Sequence, residues 1–306
     1  MRELIHNLLQ RLGAGRVPPG VQPTVEWQLC GACNYDCSYC IQSKRSRRGA
    51  PSLALLQRIL SGLCALPGSW ELKVSGGEPF ANPHFVELVV PTLVEQSSHC
   101  LSVLSNFSAP LSSLQRFSEQ SGERLRIFSA SFHPEFCTLS EFLDKALRFR
   151  ALRERNNPQS SFVVNVVLSP QSLAEQAGWK ARLEAEGFRY YPQLMKVGGE
   201  LYPYGAQQRA LLASLFPPDA SPHEANLAPS YKGQRCHAGR WYFVLDQHGQ
   251  AYRCRPAKRL SDDDPEYSLG AIGEPSFARR RSWLCPFERC PCSVPANRGI
   301  VESRGT

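Results

Sequence analysis

A chain of 306 residues, 42% hydrophobic and 20% charged, can bury one large core plus a smaller unit, and it reads as globular rather than disordered. No run of 18 apolar residues spans it, and residues 1–20 carry no apolar h-region with a cleavage site, so neither a membrane-spanning helix nor a secretory leader is expected. The formal charge of +8 suits acidic substrates or nucleic acid, but without a dominating Lys/Arg tract it is equally ordinary for a soluble enzyme.

In chain order, Leu4, Ile5, Leu8, Leu9 and Leu12 fall at helical spacing and stop at Gly13-Ala-Gly15, so residues 1–19 read as a helical appendage. Thr24–Leu29 is the first strand. The loop behind it reads Cys33-Asn-Tyr-Asp-Cys37-Ser-Tyr39-Cys40, three thiols with an aromatic residue before the last. Such spacing lets three thiolates converge on one soft metal centre, and three ligands on a four-cornered iron–sulfur cube leave one iron open. Structural zinc usually shows paired C-x-x-C units with four ligands, and a redox C-x-x-C stands alone, so neither fits this order well.

The basic run Lys44, Arg45, Arg47 and Arg48 reads as a solvated face, with the holding of a substrate phosphate or carboxylate as the alternative. A helix is expected over about 52–66 from Leu53, Leu56, Ile59, Leu60 and Leu63. The strand Glu71–Val74 then runs into Ser75-Gly76-Gly77-Glu78-Pro79. A glycine pair at the carboxyl end of a strand allows the backbone to approach a ligand closely, and the following glutamate can accept a hydrogen bond from an ammonium group.

Further strands at Cys100–Leu104, Leu125–His133, Phe162–Leu168 and Tyr190–Met195 alternate with helices near 110–120, 139–153 and 171–187. That alternation implies a parallel sheet with right-handed crossovers, an α/β fold read here as a six-stranded partial (β/α) barrel over residues 20–216. Ligand-binding residues gather at the carboxyl ends of such strands, which singles out Asn106, Ser131, His133 and Asn165. His133 shares the face of Ser131 and can titrate near neutral pH, so it is the catalytic candidate, with a structural role at the Pro134-Glu135 turn as the alternative.

Residues 217–235 are rich in proline and polar residues and read as a linker or lid. Residues 236–306 form a small cysteine-rich unit. Its β-hairpin, Trp241–Leu245 and Gln250–Cys254 around Asp246-Gln-His-Gly249, is flanked by Cys236 and Cys254 and followed by Cys285, Cys290 and Cys292. Five thiols there can converge on a second cluster, with zinc as the alternative. Cys30, Cys64, Cys100 and Cys137 sit on apolar segments and read as small core residues. Twelve cysteines without a secretory signal point to a reducing cytoplasm.

The three-cysteine loop, followed at the end of the next strand by Gly-Gly-Glu-Pro, resembles the signature of the radical S-adenosylmethionine (SAM) superfamily. The resemblance implies the partial barrel, a 4Fe-4S cluster on Cys33, Cys37 and Cys40, and SAM chelating the open iron. It also implies that the SAM amino group is bound along Ser75, Gly76, Gly77, Glu78 and Pro79 and the ribose at Ser131. Tyr39, Asn106 and Asn165 complete the expected cofactor-binding set.

Residues 236–306 resemble the shortened SPASM region called a twitch domain. This implies an auxiliary 4Fe-4S cluster on Cys236, Cys254 and two of Cys285, Cys290 and Cys292. The C-x-C ending departs from the commoner C-x-x-C; Pro291 fixes its own φ and could aim Cys290 and Cys292 together, making them the expected pair.

The implied reaction is reductive cleavage of SAM to a 5′-deoxyadenosyl radical that abstracts hydrogen from a small-molecule or peptide substrate. The outcome would be oxidation, epimerisation or crosslinking in natural-product or modified-peptide biosynthesis. An electron donor such as flavodoxin or ferredoxin is the expected partner, and neither a membrane nor a nucleic acid is. A molybdenum-cofactor-type nucleotide cyclase is a second reading, disfavoured by the cysteine spacing and by an ending without Gly-Gly. A third, a non-catalytic iron–sulfur or zinc protein binding RNA through 44–48 and 279–281, leaves Gly-Gly-Glu-Pro unexplained.

Overall fold

A computed structural model describes residues 16–42, 47–198, 200–216, 230–279, 281–288, 290 and 294–302. The expected N-terminal helix, Lys44, Arg45, most of the 217–235 segment, and Pro291 and Cys292 lie outside the described residues.

The strand β1 (Thr24–Cys30) is followed by α1 (Leu53–Cys64), whose N-cap Ser52 accepts the Leu55 N–H and whose Leu56, Ile59, Leu60 and Leu63 are buried. Thus the apolar positions at helical spacing become one buried stripe. Next come β2 (Glu71–Gly76), α2 (Val90–Gln96), β3 (Cys100–Ser105), α3 (Leu111–Ser121), β4 (Leu125–Phe132), α4 (Leu139–Asn156), β5 (Ser161–Leu168), α5 (Gln176–Ala185) and β6 (Arg189–Leu194). The six strands lie side by side in sequence order and all neighbours are parallel. This is the expected βα alternation.

Helix α2, not among the elements expected from the sequence, starts irregularly although Phe85, Val86, Val89, Val90 and Leu93 are buried at helical spacing. A π-helical segment, Phe85–Val89, leads straight into it, with Pro91 just inside. Proline cannot donate the usual i−4 hydrogen bond, and a π-turn changes the ladder where that donor is missing.

The chain then forms two short strands, β7 (Lys196–Val197) and β8 (Glu200–Leu201), α6 (Ala206–Ala213) and, beyond the undescribed segment, β9 (Arg235–Cys236). β10 (Tyr242–Leu245) and β11 (Gln250–Tyr252) make the expected hairpin, followed by α7 (Arg255–Arg259), β12 (Ser268–Ala271), β13 (Trp283–Leu284) and α8 (Val294–Asn297). The hairpin does not stand alone. β10 pairs in parallel with β1, and β11 and β12 continue antiparallel, giving one open nine-stranded sheet in the order β12-β11-β10-β1-β2-β3-β4-β5-β6.

Helices cover one face of this sheet. Phe128 and Phe132 of β4 pack on Phe149, Phe142 and Trp179, and Phe162 of β5 packs on Phe149. Side chains alternate along a strand, so Ser129, Ser131 and Asn165 take the opposite, concave face. From α7, Arg255 and Lys258 reach Glu26 and Gln28 of β1, which lays this helix over the concave face. At the other end of the strands, Glu71 is fully buried and receives Arg298 Nη2 at 3.0 Å, tying the C-terminal segment beneath the sheet. Among the described residues, no helix is long and apolar enough to cross a membrane.

Candidate active site

The loop carrying Cys33, Cys37 and Cys40 leaves the carboxyl end of β1 and is strapped to its neighbours by backbone. Gly31 N–H and Ala32 N–H both donate to Gly49 O (3.0 and 2.9 Å), Gly77 N–H donates to Cys30 O (2.7 Å), and Glu78 N–H donates to Ala32 O (2.9 Å). The last two bonds place Gly76 and Gly77 directly against the cysteine loop. A Cβ on Gly77 would meet Ala32 O at 1.9 Å, and one on Gly76, whose φ is +137°, would meet Cys30 O at 2.3 Å. Glycine is therefore required here by chain-to-chain contact, a need distinct from the ligand approach that the motif suggests.

Glu78 is 1% exposed. Its Oε1 accepts from Phe80 N–H (3.0 Å) and Ser105 Oγ–H (2.8 Å), and its Oε2 accepts from Asn106 N–H (2.6 Å). Burial pushes its pKa up to about 7, against the pull of those donors. A carboxylate offers about four lone-pair positions, so three protein donors leave about one for a ligand. In this geometry Glu78 first ties the end of β2 to the end of β3. Pro79 opens the 3₁₀ turn behind it, and Ser75 pairs with Gln28 of β1.

Polar groups approach two of the three sulfurs. Tyr35 N–H lies 3.4 Å and Asn106 Nδ2 3.8 Å from Cys33 Sγ, and His133 Nδ1 lies 3.5 Å from Cys37 Sγ. The Tyr39 hydroxyl is 2.9 Å from the same His133 nitrogen, and the two rings stack at 5.9 Å. His133 therefore lies against the cysteine loop; burial lowers its pKa to about 4, with Glu135 opposing. Burial, then the neighbouring Cys40 and Cys33, push Cys37 up to about 12. Ser131 and Asn165 sit side by side across β4 and β5, with Asn165 Nδ2 buried and unpartnered.

Some of this support has no motif behind it. The carboxylate of Glu135 holds both the N–H and the hydroxyl of Ser38, Phe136 stacks on Tyr35 at 4.0 Å, and Gln42 Nε2 donates to Gly76 O at 2.7 Å. Arg47, read as part of a solvated face, instead donates to Gln42 O and Cys37 O and pairs with Asp36 across the cysteine loop. An arginine five or more residues from its carbonyl partners gives no periodic signal.

A second group of thiols lies beside α7. β13 pairs with β9, setting Trp283 opposite Cys236 and carrying Cys285 to the end of that pair. Cys236, Cys254 and Cys285 are all buried. Burial first, and then the nearness of Cys236, Cys290 and Cys285, raises Cys254 well above the ordinary thiol range. Cys236 is pushed up to about 11 by burial, while Ala238 N–H opposes; the buried, otherwise unpartnered Trp283 indole N–H also helps hold it down. Cys285 joins this group, whereas the sequence favours Cys290 and Cys292 as the pair; Cys292 lies outside the described residues.

Among the described residues, no three of His, Cys, Asp and Glu converge as they would on a single metal ion. A single zinc draws its thiolates to about 2.3 Å from one point. A four-iron cluster takes each thiolate on a different iron, and N–H donors to the sulfurs set its potential. Donor chemistry at both thiol groups fits such clusters: free thiols, buried or partly buried, with N–H groups close to Cys33 in the first group and Cys236 in the second.

No family model and no curated protein matches the chain. Solved structures do. anSMEcpe with bound AdoMet is 15% identical with a TM-score of 0.57, over 82% of this chain and 75% of that one. The same protein with AdoMet and the Kp18Cys peptide is 14% identical with a TM-score of 0.58, over 83% and 79%. SuiB of Streptococcus suis, bound to S-adenosylmethionine, is 15% identical with a TM-score of 0.57, over 84% and 64%. At these identities the likeness is one of architecture, and the chain has the fold of the radical SAM enzymes.

Proposed function

We propose that the chain is a radical SAM enzyme acting on a peptide or small-molecule substrate. The observation that carries this reading is the backbone union of the Cys33–Cys40 loop with Gly76-Gly77-Glu78 at the carboxyl ends of β1 and β2. A zinc or RNA-binding module has no need for that union. When bound, a 4Fe-4S cluster on Cys33, Cys37 and Cys40 together with SAM supplies one-electron cleavage of SAM and a 5′-deoxyadenosyl radical.

The protein's own part is to hold, shield and orient. Tyr35 N–H, Asn106 and His133 supply polar contacts to the sulfurs, which tune a cluster's potential. The free lone-pair position of Glu78 accepts from the SAM ammonium. Ser131 and the unpartnered Asn165 amide supply polar groups on the concave face for ribose or substrate. Peptides belong among the substrates because the neighbour anSMEcpe is solved with one. Reconstituted protein given SAM and a low-potential reductant is expected to release 5′-deoxyadenosine, and deuterium transferred into it from a labelled candidate identifies the substrate hydrogen. Failure to cleave SAM with the N-terminal cluster fully loaded overturns the reading.

For the second thiol group we assign the ligands of an auxiliary 4Fe-4S cluster to Cys236, Cys254, Cys285 and Cys290. The antiparallel β9–β13 pair supports Cys285, and the nearness of Cys236, Cys285 and Cys290 to Cys254 supports the set. Iron analysis is expected to give about eight irons per chain, falling by about four in Cys285→Ala and unchanged in Cys292→Ala. The reverse pattern moves the ligand to Cys292, and about four irons with stoichiometric zinc makes this site structural.

A further inference from the structure

A cavity of about 510 Å³ opens beside the β4–α4 loop, lined in part by Phe132, Pro134, Phe136, Trp179, Glu141 and Glu175. It lies outside the concave face. Phe132 points to the helices, meeting Trp179 edge-on at 5.1 Å, so the cavity sits between the starts of α4 and α5. The loop that forms its wall, residues 133–137, touches the cysteine loop on its other side through His133, Glu135 and Phe136. One layer of chain therefore separates the cavity from the proposed radical site.

The lining chemistry selects the occupant. Phe136 is 40% exposed and Trp179 is only partly covered, so aromatic surface faces the opening. Two carboxylates accompany it. Both are exposed: Glu141 is the acid of the Thr138 capping box and uses Oε2 for both Thr138 contacts. Glu175 immediately precedes α5, donates its backbone N–H to Ser172 O at 3.1 Å, and has a carboxylate with no hydrogen-bond or ion-pair partner among the described residues. Each helix start contributes about half a positive charge, which cancels about half of each carboxylate and leaves the cavity net negative. Aromatic faces with net negative charge fit a cation on an apolar stem.

We propose that this cavity is an anchoring site for a lysine or arginine side chain of a peptide substrate, an inference that rests on the radical SAM reading of the neighbouring site. A free amine seated here is walled off from the concave face by the 133–137 loop and could not present its own hydrogen to the radical. Only an extended substrate can fill this cavity with one residue and reach the barrel mouth with another. The cavity is thus a specificity site, with no atom of its own in the reaction.

The test is binding to the full-length reconstituted protein, followed by calorimetry. Probes are the pentapeptide Ac-Ala-Ala-Lys-Ala-Ala-amide, the same peptide with norleucine for lysine, and butylamine. The lysine peptide is expected to bind about tenfold more tightly than the norleucine peptide, the combined effect of a cation over aromatic rings and two partly neutralised carboxylates. Glu141→Gln/Glu175→Gln, which keeps the capping box because glutamine also serves there, is expected to remove that preference at an unchanged melting temperature. Trp179→Leu should reduce it as well. Equal affinity for the lysine and norleucine peptides, or a preference that survives the double substitution, overturns the proposal. Butylamine binding as tightly as the lysine peptide overturns the commitment to a peptide. SAM cleavage without substrate is measured on the same preparation, so a failed anchor with intact cleavage is distinguishable from failure of the radical SAM reading.

Discussion

Replacing Cys33, Cys37 and Cys40 together by alanine is expected to abolish SAM cleavage while the iron and visible absorbance of the C-terminal thiol group remain. The two ligand sets are built on different supports. Cys33–Cys40 hang from β1 and lean on the ends of β2 and β4, whereas Cys236, Cys254 and Cys285 are gathered by the β9–β13 pair and the start of α7. Alanine at the three loop positions leaves the backbone straps from Gly49, Gly77 and Glu78 intact, because those bonds use main-chain atoms alone. Iron analysis together with 5′-deoxyadenosine release checks this, and undiminished release from the triple variant would falsify the assignment of the radical cluster.

Gly77→Ala is expected to produce the second large effect, on folding as much as on chemistry. The new Cβ meets three backbone atoms, Ala32 O at 1.9 Å, Ala32 C at 2.4 Å and Gly31 O at 2.5 Å, none of which can turn away as a side chain could. Relief requires the end of β2 to part from the cysteine loop. Two backbone hydrogen bonds then weaken, at about 1 kcal/mol each, on top of about 1–3 kcal/mol for overpacking. A urea denaturation midpoint lowered by the equivalent of about 3 kcal/mol, together with poor retention of the N-terminal iron, is the expected result. Wild-type stability and iron content in this variant would show that the loop and the glycines can separate at no cost.

Much of the fold was legible because its signals are local. The stripe of Leu56, Ile59, Leu60 and Leu63 and the alternation of apolar strands with helices each lie within one contiguous segment, where period alone separates helix from strand. Helix α2 carries the same kind of signal, since Phe85, Val86, Val89, Val90 and Leu93 are buried at helical spacing through the π-turn before Pro91. His133 shows the limit for single residues. Its strand parity with Ser131 pointed to the concave face, but the chain has left β4 by residue 133, and Cys37 and Tyr39 capture the ring.

By itself the sequence determined the three-thiol loop, the glycine-rich turn one strand later and the parallel order of six strands, since spacing within a loop and periodicity within an element need no knowledge of what lies opposite. Tertiary structure alone decided what those features meet. It set Gly77 against Ala32 rather than only against a ligand, turned Glu78 into a tie between β2 and β3, and continued the central sheet through β10 beside β1. It also brought Cys285 back to Cys236 across 49 positions of chain and hollowed a cavity between the starts of two helices. Each of these depends on register and return path, which are settled by long-range backbone pairing and burial once the elements pack.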